Sequence, residues 1–400
     1  MEPVRRMTTA PALMGVAAAA FLAIALLVCL TGCAVRAPSG DAGDGLDAGD
    51  GVEAPGGQAS FTVGMLGSPS PARQSYLNIC SIVEQAGGRV VTEEYGLTPE
   101  SSVAAVRNLI ARGCDGVIIM PMSDASLSYI AKICEDSSTY WAISMRTIHD
   151  PRIRRQVEES HYFVGMVMEN EEATGYGIMR FLGEQGARKV AAISTSALDT
   201  TGAARERGMS LAARELGMEV AEIVRDPRSA EDIAISVESL IRAYPDIDAV
   251  FCVGTFVRNS SEAALNAIME HSDSANVRYA AVDFERGLDL FFDRGMVSVA
   301  AGGHAPLDAS LAAALLVNAL MGTPLGDGGP ATLRIDPIMV YSGDELRKYY
   351  DVVEDGAALF SPEAARNKLF KWASPEVDVD SLNELIRDYG VDAALEWKKR

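Results

Sequence analysis

Residues 89–120 contain one complete strand–helix–strand unit, RVVTEEYGLTPESSVAAVRNLIARGCDGVIIM. The pair Val90-Val91 begins the first strand, and residues 116–120 form a second strand that is apolar along its length. Between them, Thr98 stands at the N-cap position before a proline, and Gly113 ends the helix. Strands without polar alternation are typical of a parallel sheet that helices cover on both faces.

The same alternation is repeated on both sides of this unit. Further apolar strands are predicted at residues 61–66, 140–145, 162–165, 189–193, 218–223, 249–253, 277–282 and 297–300. Helices are predicted at residues 74–86, 125–136, 171–182, 203–216, 231–243 and 260–271. These two successive sets predict an α/β fold of two similar doubly wound parallel-sheet lobes joined by a hinge. Because ligands of such folds bind beyond the carboxyl ends of the strands, two facing lobes create one cleft.

The composition excludes several classes of function. The 400 residues carry a formal net charge of −20, whereas a nucleic-acid binder needs clustered Lys and Arg for phosphate contacts. With 48% hydrophobic residues the chain is not disordered. We find no nucleophile elbow, P-loop, zinc-protease motif or dinucleotide glycine motif, and the histidines lack metal-ligand spacing. We therefore expect no catalytic residue, no metal and no cofactor.

The N-terminus predicts export. Arg5 and Arg6 precede an apolar run over residues 12–30, which is the pattern of a signal peptide over residues 1–32. The segment Leu30-Thr31-Gly32-Cys33 resembles the lipobox of bacterial lipoproteins, which implies that Cys33 is lipidated and becomes the first mature residue. A plain transmembrane anchor, or cleavage without lipidation, is left open, since about 19 apolar residues can span a bilayer.

A tether and a body follow the signal. Residues 33–59 are rich in Gly, Ala, Asp and Pro, which predicts a flexible acidic tether from the lipidated cysteine. The body has four cysteines without C-x-x-C spacing, so a metal or redox role is not expected. A disulfide between Cys80 and Cys134 is left open, because an exported protein can form one.

The body resembles the ribose-type periplasmic binding proteins. The run Thr201-Gly202-Ala203-Ala204-Arg205-Glu206-Arg207-Gly208-Met209 is similar to a signature of that family. The order of Ser68, Gly113–Ile119, Asn170, Ala281-Val282-Asp283 and Gly303-His304-Ala305-Pro306 is also similar, over about residues 60–340. The resemblance implies an N-terminal lobe (60–168 plus 304–330), a C-terminal lobe (169–303 plus 331–345) and a helical C-terminal extension (346–400). The lactose-type repressors share this fold but carry an N-terminal DNA-binding segment where this chain has a signal and a tether.

The resemblance also implies where ligand contacts lie. The implied residues are Ser68, Arg73, Arg146, Arg205, Asp283 and His304. An arginine fork holds two acceptors and a carboxylate accepts two hydroxyls, which suits sugar recognition. Structural roles remain open for three of them. Arg205 can pair with Glu206 or Glu215, Asp283 can cap the following helix, and His304 can be a core or hinge residue.

The chain departs from the family's polar pattern at three places. Met120 and Met145 replace an asparagine and an aspartate, and Gly254-Thr255 replaces an Asn-Asp pair. At the matched positions this leaves two arginines, Arg146 and Arg205, against one carboxylate. Either Glu169 or another local carboxylate balances the second arginine, or the solute brings an anionic group, because burying an unpaired guanidinium is costly.

Together these features predict a solute-binding lipoprotein at the extracytoplasmic face of the cell membrane. It would capture a small solute by closing its lobes and would deliver it to an ABC transporter permease. The solute would be a sugar or a sugar-like compound, which includes anionic and partly apolar ones. A lipoprotein that presents its ligand to a sensor kinase or chemoreceptor is the alternative, because both functions need a partner that recognises the closed form.

Overall fold

The computed structural model describes residues 61–67, 73–96, 98–121, 123–197, 199–255, 257–271, 276–326 and 328–399. The signal, Cys33, the tether and Ser68 lie outside these residues, as does the side chain of Arg73. None of the described helices is both long and apolar enough to cross a bilayer.

The described residues form helices and strands in alternation. The strands are β1 (Thr62–Leu66), β2 (Arg89–Glu93), β3 (Gly116–Ile119), β4 (Tyr140–Ile143), β5 (Phe163–Glu169), β6 (Lys189–Ser194), β7 (Glu219–Arg225), β8 (Ala249–Cys252), β9 (Arg278–Val282), β10 (Val297–Gly302), β11 (Ala331–Ile335) and β12 (Ile338–Val340). The helices are α1 (Arg73–Gln85), α2 (Pro99–Ala111), α3 (Leu127–Ser137), α4 (Pro151–Glu158), α5 (Glu171–Glu184), α6 (Thr200–Leu216), α7 (Ala230–Ala243), α8 (Ser260–Glu270), α9 (Leu288–Asp293), α10 (Ala305–Leu320), α11 (Gly343–Val352), α12 (Pro362–Lys368), α13 (Val379–Asp388) and α14 (Val391–Lys398).

The strands form two six-stranded sheets, which confirms the predicted fold class. The first has the order β11-β5-β4-β3-β1-β2 and the second has the order β12-β10-β9-β8-β6-β7. All neighbouring strands pair in parallel except β12, which pairs antiparallel with β10. The chain crosses between the sheets after β5, after β10 and between β11 and β12.

One predicted lobe boundary is wrong. The resemblance implies that residues 331–345 belong to the C-terminal lobe, but β11 pairs in parallel with β5 and so extends the first sheet. The alternating burial of β11 is that of an edge strand with one solvated face. Such a pattern identifies a strand but carries no information about which sheet the strand joins.

Helix α10 is the central helix of the first lobe. Every residue from Pro306 to Asn318 is buried, because α10 lies between the first sheet and α1. A helix that is apolar on all sides is typical of a fully enclosed position. Against this background Asp308 is an exception, since it is a fully buried acid in the first turn.

The cysteines of the body are free thiols. Cys114, Cys134 and Cys252 are buried and Cys80 is half-buried, and none forms a disulfide. The alternative of a Cys80–Cys134 bridge is therefore not realised in this structure.

Candidate functional site

Four of the implied ligand residues lie at the carboxyl ends of the strands. Arg146 follows β4, Asp283 follows β9, and His304 immediately precedes α10. Arg205 lies in the second turn of α6, which follows β6. This is the edge at which parallel α/β sheets bind ligands.

Arg205 is the centre of a buried ion-pair cluster. Its Nη2 donates to Oε2 of Glu169 at 3.0 Å, and its Nε donates to Oε2 of Glu171 at 2.6 Å. Its Nη1 donates to the carbonyl oxygen of Val253 at 3.2 Å, and its side chain is only 8% exposed. The expected alternative of an ion pair with Glu206 or Glu215 is wrong, because Arg205 turns inward toward β5 and α5. Glu206 pairs with Arg225, and Glu215 accepts from Tyr176.

The two carboxyl groups differ in pKa. Burial favours the neutral form of Glu169, but Arg205, His304 and the Thr174 hydroxyl outweigh it and hold its pKa well below the usual range. Burial raises the pKa of Glu171 well above the usual range, and the nearby charge of Glu169 raises it further against the pull of Arg205. Glu169 is therefore the ionised partner of the Arg205 guanidinium, whereas burial favours the neutral form of Glu171.

Glycines make room for this cluster. A Cβ on Gly175 of α5 would lie 1.9 Å from the carbonyl oxygen of Arg205, and one on Gly208 of α6 would lie 1.9 Å from that of Glu172. The two helices therefore cross at backbone contact distance, which brings Arg205 next to the start of α5. Gly254 has φ +155°, and a Cβ there would lie 2.9 Å from Nη1 of Arg205. The glycine that replaces the family's asparagine thus gives the guanidinium access to the end of β8.

Arg146 has a different environment. Its side chain is half-buried, and its Nη1 donates to the carbonyl oxygen of Met145 at 3.2 Å. No carboxylate of the described residues forms an ion pair with it. Burial raises the pKa of both Tyr95 and Glu171, and the charge of Arg146 opposes that rise only in part. Its guanidinium therefore lies near Tyr95 of the first lobe and the start of α5, and retains N–H groups for another acceptor.

Asp308 holds the turn that presents Arg146. Its Oδ1 accepts from the hydroxyl of Ser144 at 2.6 Å and from the backbone N–H of Met145 at 2.8 Å. Met145 has φ +59°, a left-handed conformation that costs free energy in a non-glycine residue. Burial raises the pKa of Asp308 to about 8. Sequence reasoning missed this residue, although an acid inside the apolar run APLDASLAAALLVNAL was a usable signal.

Asp283 does not cap the next helix. It is exposed at φ +74°, and α9 begins five residues later with Gly287 at its N-cap. Its backbone N–H donates to the carbonyl oxygen of Ala301 at 2.7 Å, and this hydrogen bond attaches the turn after β9 to strand β10. Its charge is one of three that raise the pKa of Arg205, so the carboxylate lies close to the cluster.

His304 lies at the hinge. Its Nε2 is 3.2 Å from Oε2 of Glu169, and its Nδ1 is buried without a hydrogen-bond partner among the described residues. The residue occupies the N-cap position of α10, on one of the crossings between the lobes. The structure thus gives His304 the hinge position that the sequence left as an alternative to ligand contact.

A sugar site is expected to contain aromatic rings that stack on the sugar, and the sequence offers Tyr76, Phe256 and Phe284 as candidates. The ring of Phe284 packs edge-on against Tyr349 of α11, with 4.8 Å between the ring centroids. Tyr76 is half-buried on α1, next to Cys80. Phe256 lies outside the described residues.

Comparison with known proteins establishes the fold. No protein-family model matches the sequence, and no curated protein is significantly similar to it. Among solved structures, a periplasmic sugar-binding protein of Pseudomonas fluorescens is similar with a TM-score of 0.64 at 15% identity, over 80% of this chain and 99% of that one. An ABC transporter periplasmic solute-binding protein of Actinobacillus succinogenes with bound D-allose has a TM-score of 0.63 at 14% identity, over 72% of this chain and 100% of that one. A Bacillus halodurans ABC transporter solute-binding protein with bound myo-inositol has a TM-score of 0.60 at 15% identity, over 74% and 99%. The fold is that of the type I periplasmic binding proteins.

Proposed function

We propose that this protein captures a small neutral sugar or polyol between its lobes for an ABC importer. The position of Arg146 carries the proposal, because a half-buried guanidinium without an ion pair among the described residues lies at the cleft end of the first sheet. An arginine fork binds two adjacent hydroxyl oxygens well. The similar structures with D-allose and myo-inositol support this class of solute.

The charges around the cleft favour a neutral solute. Arg205 is balanced by the ionised carboxylate of Glu169, the local carboxylate that the sequence offers as one alternative, and it also donates to Glu171. The exposed carboxylate of Asp283 adds a further negative charge near the same guanidinium. Glu169 and Asp283 carry as many negative charges as the two arginines carry positive ones, and Arg146 is only half-buried, so the site does not need an anionic solute to balance it.

Calorimetry tests this proposal directly. We expect D-allose, myo-inositol or a related neutral polyol to bind, and the matched uronate anions to bind no more tightly. Arg146→Gln should weaken binding about 10- to 100-fold, which corresponds to about 1.5–3 kcal/mol for hydrogen bonds from a charged group. Arg207→Gln is the matched control, because Arg207 is exposed on the same helix as Arg205 and pairs with Glu172. Binding of anions alone, or equal losses in the two variants, would contradict the proposal.

We further propose that Cys33 is lipidated and anchors the protein at the extracytoplasmic face of the membrane. The supporting observation is Leu30-Thr31-Gly32-Cys33 behind the apolar run, followed by the acidic tether. Cys33→Ser should release the protein from the membrane fraction or leave the precursor unprocessed, as mass spectrometry and fractionation would show. Unchanged mass and membrane attachment would exclude lipidation.

The permease is the proposed partner of the closed form. Delivery requires that solute-driven lobe closure creates the surface to which the permease binds. Uptake of the identified solute should cease when the gene for this protein is deleted and return when it is restored. Normal uptake in the deletion strain, together with a lost response to the solute, would favour the sensory alternative.

A further inference from the structure

We propose that residues 343–399, which we call the strap, tie the two lobes together and restrict the opening of the cleft. The strap comprises α11, α12, α13 and α14. This proposal rests on the hinge motion that the proposed function requires. The contacts of the strap and the experiment that tests it involve no solute.

The strap is anchored on the second lobe through α11. Nη1 of Arg347 is 3.1 Å from Asp289 and 2.9 Å from Asp293, both on α9. The hydroxyl of Tyr350 donates to the carbonyl oxygen of Glu285 at 2.6 Å. Helix α11 therefore rests on α9 and on the turn that follows β9.

The same segment is anchored on the first lobe. The amide of Gln74, at the start of α1, donates to the carbonyl oxygen of Val353 at 2.7 Å. Buried Asn78 accepts at its Oδ1 from the backbone N–H of Leu359 at 2.8 Å. Buried Asn318 of α10 donates to the carbonyl oxygen of Leu369 at 2.7 Å. These side-chain bonds to the strap backbone fix its register on α1 and α10.

The strap also touches a crossing between the lobes. The hydroxyl of Tyr389 donates to the carbonyl oxygen of Gly303 at 2.6 Å. A Cβ on Gly303 would lie 2.7 Å from the ring of Tyr349, so the strap packs directly on this hinge segment. Gly303 has φ +78°, a conformation that an L-residue rarely adopts, and the hinge there has no room for a side chain.

The parts of the strap are joined to each other. The Trp397 ring of α14 stacks on Phe360 with 5.0 Å between the ring centroids, and its carbonyl oxygen accepts from the N–H of Ser361 at 2.9 Å. Lys348 of α11 pairs with Asp392 of α14 at 2.6 Å. Because α14 connects the anchor on the second lobe to the segment on the first, the strap behaves as one body rather than as a loose linker.

The strap crosses at the cleft end of both sheets. Gln74 opens the helix that follows β1, and Glu285 follows β9, so both anchors lie beyond the carboxyl ends of strands. A rotation that separates the lobes must therefore break one anchor. The α9 anchor is the weaker one, because the Arg347 side chain is 38% exposed and the pair Arg347–Asp293 is solvated, whereas Asn78 and Asn318 are buried.

Distance measurements between spin labels test the strap without a solute. The labels are placed at Tyr129→Cys on α3 and Ile235→Cys on α7, which are exposed positions on opposite lobes, in a Cys80→Ser background. We expect one narrow distance distribution in the otherwise unchanged chain. Arg347→Gln combined with Tyr350→Phe should raise the fraction of longer distances about three- to tenfold, since two anchoring interactions are lost.

Controls separate a strap from a merely stabilising extension. Arg387→Gln removes an exposed pair within α13 that joins no two parts of the strap, and it should leave the distances unchanged. If the double variant does not fold, Tyr389→Phe removes one hinge hydrogen bond with little change in packing and should broaden the distribution in the same direction. Folded variants with unchanged distances, or equal broadening in the Arg387 control, would overturn the proposal. Failure to bind a sugar would bear only on the proposed function.

Discussion

Arg205 has three hydrogen-bond partners on three separate elements: the end of β5, the start of α5 and the end of β8. Breaking a buried ion pair by removing one partner costs more than the pair contributes, because the remaining charge stays buried. Because Glu169 and Glu171 lie where the chain crosses between the lobes after β5, the position of Arg205 depends on that crossing.

Glu169→Gln should reduce the free energy of unfolding by about 3–5 kcal/mol, since it leaves Arg205 without its ionised partner. Glu172→Gln is the matched control, because Glu172 pairs with Arg207 at the surface at 3.4 Å. Its cost should be about 0–1 kcal/mol. Urea denaturation of both variants checks this expectation. Equal losses would mean that the buried cluster contributes no more than a solvated pair.

Asp308 predicts a specific dependence of stability on pH. Its pKa is raised to about 8 in the folded chain, so the unfolded chain releases this proton at lower pH than the folded chain does. The contribution of this proton to the free energy of unfolding is complete below the usual aspartate pKa of about 4, and it is lost as the pH rises toward 8. The slope due to this residue approaches about 1.4 kcal/mol per pH unit.

Asp308→Asn should remove that contribution, because an amide oxygen can still accept from Ser144 and Met145 but does not titrate. The free energy of unfolding, measured from pH 4 to pH 8, should fall less steeply in the variant than in the wild type. Parallel curves would show that Asp308 titrates normally in the folded protein.

At the scale of elements, α5 and α6 determine where the cluster forms. Their crossing depends on glycine, since Gly208 leaves no space for a methyl group against the carbonyl oxygen of Glu172. Close crossings of this kind couple the start of one helix to the second turn of the other, which is where Glu171 and Arg205 lie.

Gly208→Ala should therefore destabilise the protein by about 1–3 kcal/mol through overpacking. Gly177→Ala in α5 is the control, because its Cβ would make only an ordinary contact, 3.9 Å from Met339. That variant should be neutral or up to about 1 kcal/mol more stable, as alanine favours the helix. Thermal unfolding distinguishes the two, and similar shifts would contradict a sterically determined crossing.

At the scale of the whole molecule, the described residues form two sheets with three crossings between them, and this arrangement predicts a hinge motion. Small-angle scattering of the protein with its identified solute should show a smaller radius of gyration than without it. An unchanged radius with a tightly bound solute would contradict lobe closure. In the strap variant Arg347→Gln with Tyr350→Phe the difference should be larger, because the unliganded lobes open further.

The amino-acid sequence was sufficient to predict the alternation of helices and strands and the two parallel-sheet lobes. Thr98 is the N-cap of α2 as expected, since its hydroxyl accepts from the N–H of Ser101. Apolar runs and caps are local signals, because each depends on residues within one element. Helix α4 had such a signal as well, with Asp150 as N-cap and a proline at the first position, and sequence reasoning overlooked it.

Only the tertiary structure decided which elements meet. The sheet that β11 joins, the partners of Arg205 and the attachment of the strap all depend on pairs far apart in the chain, such as Leu359 with Asn78. Glu206 and Glu215 are nearer to Arg205 along the sequence than Glu169 is. The tight crossing of α5 and α6 nevertheless directs the Arg205 side chain toward Glu169. Local sequence determines what each segment can form, whereas burial selects among the distant partners, because an unpaired charge is costly only where packing has excluded water.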